Sequence, residues 1–73
     1  MNPYAAHATR IAALCDWILE ANTRQAVVSR YHSALESAAE TSRDIARLRI
    51  ARRLALTIVA NRSIRVAGSP ERN

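Results

Sequence analysis

Asn22 to Asp44 reads NTRQAVVSRYHSALESAAETSRD, and the signals at its two ends decide the fold. Asn22-Thr23-Arg24-Gln25 and Thr41-Ser42-Arg43-Asp44 both have the spacing of a capping box. In that motif a short side chain accepts from the free N–H groups of a new helix, and a residue three positions on reaches back to it. The second copy carries Asp where Glu is usual. A third start signal precedes them at Asn2-Pro3, an N-cap followed by proline at the first helical position. No proline or glycine falls between Pro3 and Gly68, and the chain is rich in the helix formers Ala, Leu, Arg and Glu. The expected fold is therefore all-α, a small three-helix bundle occupying one domain over 1–67, with helices at about 3–21, 23–40 and 42–61. Nothing at either internal boundary breaks a helix outright, so a two-helix hairpin is the competing arrangement.

Helical periodicity assigns the faces. The first segment gathers Tyr4, Ala8, Ile11, Leu14, Cys15, Ile18 and Leu19 on one side, with Thr9, Asp16 and Glu20 opposite. The second gathers Val27, Val28, Tyr31, Ala34, Leu35, Ala38 and Ala39, with Leu35 at its centre. The third is less clean. Ile45, Leu48, Ala51, Ala55, Leu56, Ile58 and Val59 share a broad side that also contains Arg52, while Ile50 and Leu54 lie elsewhere, beside Arg43 and Arg47. The stretch LALTIVANRSIRVAG is rich in Ile, Val and Thr, which admits a short β-hairpin across Ala60 to Arg62 in place of a helix end. Beyond it, 68–73 is polar, contains proline and is expected to be a flexible tail.

A chain of 73 residues buries a small core, so association with a second copy or a larger partner would add stability. Neither usual staple of a small fold is present. The single cysteine, Cys15, has no partner for a disulfide, and no Cys/His spacing fits a structural zinc site. No apolar run approaches the roughly 18 residues of a membrane span, and no basic segment opens the chain. These features point to a cytoplasmic protein without a membrane partner.

Charge is concentrated in one half. Residues 1–42 carry three arginines against four acids, whereas residues 43–73 carry eight arginines against Asp44 and Glu71. Lysine is absent and alanine abundant, a composition that GC-rich coding produces, but codon bias does not account for the clustering. Arg43, Arg47, Arg49, Arg52 and Arg53 fall within eleven residues, with Arg62 and Arg65 following. Arginine suits phosphates and carboxylates because its planar fork donates parallel hydrogen bonds and stays charged at any working pH. These seven are the candidate surface for nucleic-acid backbone or an acidic protein. The alternative is that several merely solvate the helix and pair with Glu36, Glu40 or Asp44. Arg52, close to the apolar side, is expected to pack its stem and reach Glu36 or Glu40 with its head.

Base-specific reading has little support, since Asn and Gln are scarce after the arginines and neither junction has the glycine-containing turn common in helix-turn-helix motifs. Aromatic residues that would stack on single-stranded bases are missing from the basic half. Trp17 lies off the apolar stripe of the first segment, next to Arg10, Ala13 and Ala21. It either packs against the third helix or the C-terminal segment, or it anchors a partner or a second copy. His7 and Cys15 share a face but are two turns apart, too far for one metal ion. Cys15 reads as a small buried hydrophobe. No base, nucleophile and oxyanion site come together, so a non-enzymatic protein without cofactor or metal is expected.

In size, charge and arginine clustering over Thr41 to Arg53, the chain resembles the very small regulators that bacteriophages make to bind host machinery, among them inhibitors and antiterminators that sit on RNA polymerase. The resemblance implies a regulator of transcription whose basic C-terminal half contacts polymerase or its nucleic acid. A different expectation competes with it: a small helical dimer that blocks a host or bacterial protein by direct contact through Trp17 and its apolar faces.

Overall fold

The computed structural model describes residues 3–67, with side chains described as far as Arg62. Three helices follow one another: α1 (Pro3–Leu19), α2 (Arg24–Ala38) and α3 (Ser42–Ala67). Each packs on both others, so the arrangement is a three-helix bundle and not a hairpin. The short β-hairpin that the sequence admitted near the C-terminus as an alternative to a helix end is not found among the described residues. Residues 54–67 continue α3, and no strand occurs among the described residues. Helix propensities of Ile, Val and Thr are only slightly below those of unbranched residues, and the segment offers no glycine at Ala60 to Arg62 to reverse the chain. The tail expected over 68–73 lies outside the described residues.

Both internal junctions turn without glycine, and no described residue has positive φ. At the first, the last turn of α1 tightens, with the Ala21 N–H donating to the Ile18 carbonyl at 3.2 Å. Thr23, in extended conformation, then caps α2 by accepting from the Ala26 N–H at 3.1 Å. The start signal is thus used one residue later than the Asn22–Gln25 box. The Asn22 side chain instead accepts from Arg62 Nη1 at 3.2 Å, tying the junction to the far end of α3. At the second junction Ala39 is extended and ends α2. The Thr41–Asp44 box then forms in full: Thr41 Oγ1 accepts from the Asp44 N–H at 3.1 Å, and Asp44 Oδ2 accepts from the Thr41 N–H at 3.2 Å.

The core is a seam of small residues around a few large ones. Ile18, Val27, Tyr31 and Leu48 meet across the three helices, and Ala21, Ala34, Ala51 and Ala55 fill the seam between them. Alanine at these positions lets the helix axes approach closely, and Leu14, Cys15, Leu19, Leu35, Leu56 and Val59 close the edges. Leu35 is only half-buried, so the centre of α2's contact face is Val27, Tyr31 and Ala34. Tyr4, placed on the apolar stripe by periodicity, is 84% exposed. No helix among the described residues is long and apolar enough to cross a membrane.

Candidate binding surface on the third helix

α3 is anchored at both ends, which fixes what its outer face presents. At its start, Asp44 Oδ2 accepts from His7 Nε2 at 2.8 Å and from the Glu40 N–H at 2.9 Å, in addition to the Thr41 N–H. One carboxylate oxygen therefore joins the beginning of α1, the α2–α3 junction and the first turn of α3. The Glu40 N–H, and after it the His7 ring, hold the Asp44 carboxyl down at about 2, against the opposing effect of burial. Toward the other end, the Arg62–Asn22 contact holds α3 to the α1–α2 junction.

Eight of the nine described arginine side chains fall into two sets, and Arg24, exposed at the start of α2, belongs to neither. Arg10, Arg30, Arg52 and Arg62 are engaged within the bundle. Arg10 Nη2 reaches the Ser37 carbonyl at 3.4 Å, and Arg30 Nη1 donates to the Trp17 carbonyl at 2.6 Å. The Arg30 guanidinium also lies 5.1 Å from the Trp17 ring centre. Trp17 is thus covered in part by Arg30 of α2, a neighbour that helical periodicity did not name, and remains 38% exposed. Arg52 departs from expectation too. Its guanidinium stacks on the buried Tyr31 ring at 4.6 Å and makes no ion pair with Glu36 or Glu40, while its Nε is buried without a hydrogen-bond partner among the described residues.

The second set is Arg43, Arg47, Arg49 and Arg53. None of their side chains forms a hydrogen bond or ion pair among the described residues, where His7–Asp44 is the single ion pair. Asp44, a nominal partner for them, is already occupied by His7 and two backbone N–H groups. Arg65 lies on α3 beyond the last described side chain.

Between these arginines runs an apolar row that charge-based reading did not single out. Ile50 is 59% and Leu54 51% exposed, and Ile58 follows one turn later. At spacing i, i+4, i+8 the three lie along one side of α3. This row borders a shallow open groove of about 260 Å³ between α1 and α3, lined by Cys15, Leu19, Arg47, Ile50, Ala51 and Leu54. Cys15 donates from Sγ to the Arg47 carbonyl at 3.7 Å, and burial pushes its thiol up from the ordinary value against the pull of Arg47. The signal was present in the sequence: Ile50 and Leu54 fall off the core stripe of an otherwise amphipathic helix. No three His, Cys, Asp or Glu side chains converge as metal ligands among the described residues.

No protein-family model matches this chain, and no curated protein or solved structure proved similar to it.

Proposed function

We propose that this protein is a small non-enzymatic regulator that acts by binding, with the outer face of α3 as its contact surface and an acidic protein surface as its target. The observation that carries this reading is the set Arg43, Arg47, Arg49 and Arg53, four exposed or half-exposed guanidinium groups with no carboxylate partner among the described residues. A salt-bridged surface would have neutralised them internally; unpaired, they add a positive field to a bundle whose formal charge is +5. Such a field speeds encounter with an acidic partner and disfavours basic ones. The interleaved Ile50 and Leu54 favour protein over nucleic-acid backbone, because phosphates offer nothing to bury them.

The resemblance to small phage regulators makes RNA polymerase the first target to test. The experiment is retention of the full chain by purified bacterial RNA polymerase, before and after nuclease treatment, with plain duplex DNA as competitor. Binding that survives nuclease and DNA supports the reading. Binding lost to nuclease would reassign the face to nucleic acid, and no binding would remove polymerase as the target.

A second reading, a contact inhibitor or dimer built on Trp17, draws on the partial exposure of that ring. Its test is concentration: a blue shift of Trp17 fluorescence on raising protein concentration supports it, and an unchanged spectrum of a monomer removes the dimer form.

A further inference from the structure

We infer that the groove between α1 and α3 is a receptor for one amphipathic helix, with an acidic flank, of a protein partner. The inference rests on the reading that α3's outer face binds an acidic protein, and deepens it by naming where the apolar contact is made and what shape of ligand makes it.

Three observations converge on this occupant. The groove runs between two neighbouring helices, and its floor and rim are apolar: Cys15 and Leu19 from α1, Ile50, Ala51 and Leu54 from α3. The exposed row continues to Ile58, so that from Ile50 to Ile58 it extends about 12 Å along the helix, roughly two turns. A docked helix presents its own anchors at i, i+3 or i+4, and i+7 over that same length. Arg47 lines the groove itself, and Arg43 lies one turn before it on the same side of α3, without an ion-pair partner among the described residues. Their charge selects a helix with Asp or Glu beside its apolar anchors.

Charge also decides against the two other occupants. Between residues 43 and 62 there are six arginines and one acid, Asp44, whose carboxylate is already engaged by His7. A second copy laid on the same face would bring like charge to like. Duplex nucleic acid would satisfy Arg47 but leave Ile50 and Leu54 facing hydrated phosphate.

The test uses the full chain and two synthetic peptides of one composition. One peptide carries leucines at i, i+4, i+7 and i+11 with flanking glutamates; the other has the same residues scrambled so that the leucines share no face. Binding is followed by NMR shift mapping and by anisotropy, with light scattering to report self-association. Variants Ile50→Gln with Leu54→Gln, and Arg47→Gln with Arg49→Gln and Arg53→Gln, are checked for folding by circular dichroism. The amphipathic peptide is expected to move the amide signals of Cys15, Leu19, Ile50 and Leu54 and to bind about ten-fold more tightly than the scrambled one. The Ile50/Leu54 variant is expected to lose about ten-fold while keeping the salt dependence of the wild type.

Equal binding of both peptides, or full affinity in the folded Ile50/Leu54 variant, overturns the groove. If the arginine variant still loses affinity in that case, the broader reading of α3 stands. If neither variant loses affinity, both readings fall. Displacement of the peptide by duplex DNA, or self-association that blocks the groove, overturns the inference in favour of those occupants.

Discussion

At Asp44, one carboxylate oxygen carries contacts to α1, to the α2–α3 junction and to its own helix. Because the folded carboxyl is held at about 2 while its ordinary value is 3.8, the unfolded chain takes up a proton first as pH falls. The stability this group contributes is complete above about 4 and is lost as pH drops toward 2. Urea midpoints measured between those limits should fall steeply for the wild type, and the Asp44→Asn variant should lack that part of the slope. Leu48 is fully buried, so Leu48→Ala should cost about 2–5 kcal/mol. That is a large share of the roughly 4–11 kcal/mol expected for a domain of this size. Half-buried Leu35→Ala should cost visibly less in the same denaturation series. Arg52 offers a sharper test of its own surroundings. Arg52→Ala removes both the stem packing and the stack on Tyr31 and should lower stability by about 1 kcal/mol. Arg52→Met keeps the packing and removes a buried Nε that lacks a partner, so its melting point should stay close to wild type.

At the scale of elements, the two threonine caps are the devices that let a chain without turn glycines reverse twice. Thr23→Ala and Thr41→Ala should each cost about 1 kcal/mol, with Thr41 the more sensitive because its box is reciprocal. Thermal melts of the two variants decide the order. Capping chemistry is local, which is why the Thr41–Asp44 start and the helical character of all three segments were legible from spacing alone. The one-residue shift from Asn22 to Thr23 was not. Both residues cap well, and the choice accompanies a contact from Arg62, forty residues away. Periodicity likewise identified the core side of each helix but not which neighbour covers its flanks, so the Arg30–Trp17 contact was not foreseen and Arg52 was paired with carboxylates in place of Tyr31. On α3, the mixed pattern of arginines and apolar residues was visible in the sequence. Its division into engaged and unpaired arginines needed the packing of α1 and α2.

For the molecule as a whole, α3 has two sides of different character. The inner side of α3, through Leu48, Ala51 and Ala55, completes the core, and the outer side presents Arg43, Arg47, Arg49 and Arg53 around Ile50 and Leu54. Substitutions on the outer side should therefore leave stability within about 0.5 kcal/mol while changing binding, the reverse of substitutions such as Leu48→Ala. The most direct measurement is a titration of RNA polymerase, and in parallel of duplex DNA, with the wild type and with the variant carrying Arg47→Gln, Arg49→Gln and Arg53→Gln, at low and moderate salt. Glutamine keeps helix propensity, so the variant should fold as the wild type does by circular dichroism. It should bind polymerase about ten-fold more weakly or worse, and its residual binding should respond less to salt, as three charge contacts are gone. A folded variant with the affinity and salt dependence of the wild type would show that these arginines only solvate the helix, and would contradict the assignment of α3's outer face as the binding surface.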